Sequence, residues 1–312
     1  MSTIFITGAR GFIGQHLSTH LAQAGHTVCG VGHGHWPESD ARACGLVAWQ
    51  NGDVTPGNLR RLRDQVGVPD LVYHLAGGSS VGAALANPLE DFFRTVATTA
   101  ELLDWLRLDA PGAGVVAISS AAVYGAGHDA PIGEGATLNP FSPYGHHKRL
   151  MEELCRSYAA SYGLRAVVAR LFSVYGPGLR KQLLWDLCAR LHMGADPLAL
   201  GGTGDERRDW TEVRDVVRAL ALLGPLASAD VPTFNVGTGT GTAVRDVAAL
   251  VAASWAGAGG LPVARSFSGQ ARPGDPHALV ADAGRLTGLG FSWEHSLAQG
   301  VPAYVRWFRE QR

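Results

Sequence analysis

Eight residues near the amino terminus, TGARGFIG from Thr7 to Gly14, constrain the fold more than any other stretch. They stand between a short apolar run, Ile4 to Thr7, and a helical pattern from about Phe12 to Ala24. Gly8 permits a tight turn, Gly11 lets backbone approach a diphosphate, and Gly14 lets the helix pack close to the strand. The N–H groups free at the helix start, those of Phe12 and Ile13 among them, then face the anion. The chain holds 41 glycines, so the trio takes its weight from its strand–turn–helix setting.

The next 160 residues repeat the same rhythm. Strands are expected at 26–31, 46–49, 70–75, 115–119 and 165–171, and helices at 59–66, 88–108 and 144–162. Short apolar strands alternating with longer helices imply an α/β fold, a doubly wound parallel sheet of the Rossmann type. Beyond Pro177 the pattern changes: helices at 182–193 and 213–223 flank the polar turn GGTGDERRD. Thr233 to Val236 is expected to return to the main sheet, a helix follows at 244–256, and the tail mixes a turn with an aromatic-rich helix. The expected division is a dinucleotide-binding domain over 1–173 plus about 211–240. A smaller, interleaved α/β substrate domain takes about 174–210 and 241–312.

Composition narrows the function. With 26 basic and 27 acidic residues the formal charge is −1, which argues against binding nucleic acid through a strongly positive surface. The four cysteines have no paired spacing, so they read as buried thiols of a reducing compartment, with neither disulfide frame nor metal cluster. No basic-then-apolar leader and no apolar stretch of roughly 18 residues is present, so a cytoplasmic protein without a membrane span is expected.

The second strand, TVCGVGHG, bears on the adenosine end of a dinucleotide. An NAD site places a carboxylate there to accept from the ribose hydroxyls, but this strand ends at Gly32 followed by His33. The missing acid removes repulsion toward a 2′-phosphate, and Arg10 in the glycine loop is placed to pair with one, with Arg42 a second candidate. NADP is therefore favoured over NAD. Asp53, in NGDV at the end of the third strand, suits the adenine amino group or a structural turn.

Tyr144 and Lys148, in PYGHHK, stand four apart at a helix start and share one face. A phenol titrates near 10 and is a poor acid–base group unless a neighbouring ammonium stabilises its anion. Strand 115–119 ends in SSAAVYG, which puts Ser120 at the carboxyl end of a central strand, where ligands of such sheets bind. Its hydroxyl can hold a substrate oxygen against the tyrosine, or cap a helix. His74 reads as a hydrogen-bonded structural histidine, Ser79 and Ser80 just beyond it as candidates to line a pocket, and Arg170 as either structural or functional.

The pieces TGARGFIG, NGDV, YHLAGG, ISSAAVYG, PYGHHK, ARLFSVYGPG, GDERRDW, FNVGTG and RPGD occur in this order over residues 4–275. Together they resemble the extended short-chain dehydrogenase/reductase family, in the branch that acts on nucleotide-linked sugars. The resemblance implies Tyr144 as acid–base, Lys148 as its cofactor-orienting partner and Ser120 on the reacting sugar oxygen. It implies further cofactor contacts at Val54, Leu75, Ala76 and Gly77, besides His33 and Asp53. Arg208 and Arg272 look like the arginines that clasp a nucleotide diphosphate, which suits bidentate guanidinium chemistry. Ser173 stands where relatives carry an asparagine. A homodimer through helices 88–108 and 144–162 is also implied.

Relatives that eliminate water carry Asp-Glu directly after the strand-end hydroxyl; this chain has Ala121 and Ala122, which cannot move protons. A 3,5-epimerase/reductase would need an added cysteine–histidine pair, and the cysteine-like place is Ala122. Two reactions at C4 of a UDP-, dTDP- or GDP-linked hexose remain. The acid-free ribose turn and Arg10 tilt toward an NADPH-dependent reductase of a 4-keto-6-deoxyhexose, with a 4-epimerase that keeps NAD as the alternative. A decarboxylase or a non-catalytic nucleotide-binding protein stands behind both.

Overall fold

In the computed structural model, which describes residues 1–128, 131–270 and 276–311, the first half alternates strand and helix. It runs β1 (Thr3–Thr7), α1 (Phe12–Gln23), β2 (Thr27–Gly32), α2 (Glu38–Ala43), β3 (Leu46–Asn51), α3 (Pro56–Val66) and β4 (Leu71–His74). It continues through α4 (Val81–Ala86), α5 (Pro88–Phe92), a π-helical turn (Phe93–Ala97), α6 (Thr98–Asp109), β5 (Gly114–Ser120), α7 (Pro143–Tyr162) and β6 (Arg165–Leu171). The single helix expected over 88–108 is thus interrupted. Five residues wind more widely there, a feature frequent at functional sites.

The second half holds β7 (Ser173–Tyr175), α8 (Gln182–His192), β8 (Leu198–Leu200), β9 (Arg207–Glu212), α9 (Val213–Leu223) and β10 (Thr233–Val236). Then come β11 (Gly241–Ala243), α10 (Val244–Gly257), β12 (Arg265–Phe267), β13 (Ala278–Leu279), α11 (Gly284–Thr287) and α12 (Leu297–Glu310). The polar stretch GGTGDERRD is not all turn: its last three residues begin β9.

Two compact units result. The first comprises 1–125, 137–171 and 217–234, and the second 126–136, 172–216 and 235–312. The large sheet has seven strands in the order β10-β6-β5-β4-β1-β2-β3. Neighbouring pairs from β3 to β6 are parallel. The chain leaves β1 toward β3 and returns on the other side as β4, so the order reverses between β1 and β4. The carboxyl ends at that reversal are the position at which doubly wound sheets bind ligands. Near-continuous apolar runs in β1, β4, β5 and β6 fit strands covered on both faces. Phe5, Val72, Val115 and Val168 pack with Leu102, Trp105 and Met151 from α6 and α7.

In the second unit β9 is the hub, pairing with β7, β11 and β13. Its Asp209 is buried and accepts from the backbone N–H of Thr238, Gly239 and Ala281, tying two loops to the strand. Trp185 and Trp255 pack edge-on to Phe308 of α12. All four cysteines are free; Cys44 is half-buried where full burial was expected. Among the described residues no helix is long and apolar enough to cross a membrane.

Candidate active site

The glycine loop takes the conformation its sequence demands. Gly8 has φ +71°, and a Cβ there would stand 3.0 Å from the Ala76 nitrogen after β4. A Cβ on Gly14 would collide with the carbonyls of Gly8 and Ala9. Gly11 caps α1 with no side-chain acceptor, so the first-turn N–H groups at Phe12 and Ile13 are offered to an anion. A dinucleotide diphosphate fits this cradle. Leu75 and Ala76 form the facing wall, and Gly77 next to them faces Lys148 and Thr95.

The adenosine end is more open. Gly32 closes β2, with a Cβ position 3.2 Å from the Trp49 ring, and the Arg10 guanidinium lies over Gly34. His33 Nε2 and Asp53 Oδ1 are 2.8 Å apart, with side chains 70% and 75% exposed. A carboxylate therefore does stand beside the β2 terminus, supplied from the end of β3. Val54, next in the chain, is buried.

At the other end the polar groups are buried or half-buried and bonded to one another. His74 lies in a chain whose tautomer is set by its neighbours. The Ala76 N–H donates to Thr7 Oγ1, and the Thr7 hydroxyl donates to His74 Nδ1 at 2.8 Å. Nε2 then donates to Thr99 Oγ1 at 3.0 Å, whose hydroxyl donates to the Thr95 carbonyl inside the π-turn. Burial, with Lys148 nearby, lowers the His74 pKa to about 3, so the ring is neutral.

Helix α7 opens on Ser142, whose hydroxyl accepts from the Gly145 N–H at 3.2 Å, with Pro143 in the first turn. A Cβ on Gly145 would come within 2.5 Å of the Ala122 carbonyl, so the glycine lets the helix press against the turn after β5. That approach brings the Tyr144 hydroxyl into a hydrogen bond with Ser120, while Ser120 Oγ also accepts from Ala122 N–H at 3.2 Å. Both readings of Ser120, cap and partner to the tyrosine, hold at once. Lys148 is buried, donates to the Ile118 carbonyl at 2.9 Å, and lies 5.9 Å from the Tyr144 ring centre. Burial raises the Tyr144 phenol, with the Ser120 bond opposing. Burial lowers Lys148 to about 8, opposed by Asp91 and Glu152.

Arg170 belongs to the scaffold. It grips Glu152 through Nε at 2.9 Å and Nη2 at 2.7 Å, and donates to the Tyr124 hydroxyl at 2.9 Å. Burial would raise Glu152, yet Arg170, Ser119 and Arg156 together hold it below the usual range. Ser80 caps α4 by accepting from Ala83 N–H at 3.3 Å, and Ser79 is exposed. In the second unit Ser173 sits on β7 opposite Trp210, and Arg208 on β9 is half-buried. Arg272 lies outside the described residues. Asp91 and His147, joined at 2.6 Å beside Lys148, were not among the expected site residues. The histidine doublet in PYGHHK was their only sequence signal.

A doubly wound sheet with a glycine cradle after β1, and with a serine, tyrosine and lysine gathered at the end of β5, defines a dinucleotide-binding domain of the short-chain dehydrogenase class. The sequence pattern of the NAD dependent epimerase/dehydratase family matches residues 4–237, and the chain belongs to that family. It is 32% identical to the UDP-glucose 4-epimerase of Azospirillum brasilense over 96% of this chain and 93% of that one. The structure of MoeE5 in complex with UDP-glucose and NAD superimposes with a TM-score of 0.85 at 30% identity, covering 99% of each chain. The UDP-glucose 4-epimerase of Thermus thermophilus, in complex with NAD, gives 0.85 at 27% identity, covering 98% of this chain and 99% of its own.

Proposed function

We propose that the protein is a nucleotide-sugar 4-epimerase that works with NAD. The observation that carries this is the Ser120–Tyr144–Lys148 grouping at the carboxyl end of β5, in a chain whose relatives are named 4-epimerases. The 4-keto reductase favoured by the sequence gives way to its alternative, because the likeness runs to epimerases and NAD complexes over nearly the whole chain.

NAD, when bound, supplies the acceptor that takes hydride from C4 and gives it back. The protein manages the proton. Tyr144 accepts it from the sugar 4-hydroxyl as C4 is oxidised to a ketone, and Ser120 holds the same oxygen. After the keto-sugar presents its other face and C4 is reduced, Tyr144 returns the proton, so the cycle has no net redox change. The resting phenol is held up by burial, so its anion depends on positive charge from Lys148 and from the oxidised nicotinamide ring. Ser79, Ser80, Ser173, Arg208 and Arg272 are assigned to the sugar and its diphosphate. A homodimer belongs to the same proposal: Leu89, Phe93 and Leu150 are exposed on the helices expected to pair.

Incubation of the purified protein with UDP-glucose, without added cofactor, tests the reading. UDP-galactose should accumulate to equilibrium with no NADH released. Absence of epimerisation of UDP-glucose and UDP-glucuronic acid, together with NADPH-dependent reduction of a dTDP-4-keto-6-deoxyhexose, would restore the reductase.

A further inference from the structure

Lys148 is buried among groups of both signs, and the fold accounts for all but one. On its own helix Glu152 is committed to Arg170, Arg156 and Ser119. On β4 His74 is neutral within its threonine chain. On α5 and the π-turn Glu90 and Arg94 pair with each other at the surface. The remaining group is Asp91. It is 5% exposed, and its Oδ2 lies 2.6 Å from Nδ1 of His147, the residue before Lys148. Its Oδ1 rests against Gly78, where a Cβ would fall on it. The Lys148 ammonium reaches the same loop, 3.3 Å from the Cβ position of Gly77. A buried carboxylate with one histidine partner is a costly arrangement unless it compensates charge nearby.

We propose that Asp91 and His147 form a positioning dyad, in which Asp91 is the counter-charge that keeps the Lys148 side chain an ammonium and His147 fixes that carboxylate against the loop after β4. The inference rests on Lys148 as partner of Tyr144 and adds a group acting through it. Burial alone favours the neutral amine, and Asp91 opposes burial. The same carboxylate disfavours the Tyr144 phenolate. The dyad thus keeps the lysine charged and the tyrosine protonated until the sugar and oxidised cofactor arrive.

The chain has only two lysines, Lys148 and Lys181, so the full-length protein carrying carbon-13 at the lysine ε position shows two side-chain signals, assigned with Lys181→Arg. In the wild type the Lys148 signal should titrate near pH 8. Asp91→Asn should move that midpoint down by about one pH unit, a tenfold rise in the ratio of amine to ammonium. His147→Phe, which strands the carboxylate, should move it the same way by less. His147→Gln, which still donates a hydrogen bond, should restore most of the wild-type value. An Asp91→Asn midpoint within about 0.2 unit of wild type, in a protein whose Lys181 signal and melting are unchanged, would overturn the dyad. If Asp91→Asn does not fold, coincident midpoints for His147→Phe and wild type would overturn it equally. The titration needs no substrate, so its failure leaves the proposed reaction standing, and a failed epimerase assay leaves the titration intact.

Discussion

The two ends of the proposed cofactor site are built on opposite terms. Around β4, β5 and α7, side chains are buried or half-buried and bonded to one another: His74 lies between two threonines, Lys148 sits on the Ile118 carbonyl, and the half-buried Tyr144 bonds Ser120. Around β2 and β3, Arg10, His33 and Asp53 are exposed; His33 and Asp53 form one solvent-facing pair, and Arg10 lies over Gly34. The bonded end is the one where the proposed reaction moves a proton, and a misplaced acid–base group loses much of its rate. The exposed end is the one proposed only to hold a ribose. Substitutions should therefore cost most at the buried end and least at the exposed one.

The largest effect is expected at Tyr144. Tyr144→Phe should cut turnover by roughly 100-fold or more while affinity for the nucleotide sugar stays within about twofold, because only the proton path is lost. Stopped assays and calorimetric titration measure the two. A loss under tenfold would place the proton transfer elsewhere.

Next comes the acid sensitivity of the buried end. His74 ordinarily titrates at 6.5 and is held at about 3 in the fold. Its stabilising share is therefore whole above pH 6.5 and drains as pH falls from 6.5 toward 3, because the unfolded chain takes up a proton that the native state refuses. Between pH 6 and 4 the slope should approach about 1.4 kcal/mol per pH unit from this residue. His74→Gln should flatten the slope whatever it does to the absolute stability. Parallel slopes for the two proteins in urea titrations would mean that His74 is not the acid-labile group.

What the sequence made legible follows the same divide. The strand–glycine–helix start and the alternation through β6 could be read because each rests on local rules: hydrophobic runs, turn glycines, and the four-residue spacing of Tyr144 and Lys148 on one helix face. His74 was readable as structural for the same reason, a histidine ending an apolar strand. The π-turn at 93–97, the short strands around β9 and the Asp91–His147 pair were not readable. Each depends on partners far apart in the chain: Thr95 answers to Gly78, Arg208 to Thr242 and Asp91 to a residue 56 positions away. Arg170 stayed ambiguous until Glu152, on another element, closed on it.

The smallest effect is expected at the exposed end, where it bears on the choice of cofactor. Absence of an acid at Gly32 argued for NADP, but Asp53 reaches the same edge through His33 at 2.8 Å, and a carboxylate there accepts from ribose hydroxyls and repels a 2′-phosphate. Arg10, over Gly34, pulls the other way. If the carboxylate dominates, NADH binds more tightly than NADPH. Asp53→Asn should then weaken NADH by about threefold to tenfold, the scale of one ordinary hydrogen bond at an open site, and leave NADPH nearly unchanged. Arg10→Ala should lower NADPH affinity and spare NADH. Fluorescence titration of the four combinations decides it. NADPH binding the wild type more tightly, with Arg10→Ala reversing the order, would show that the guanidinium governs this end and would weaken the case for retained NAD on which the epimerase reading draws.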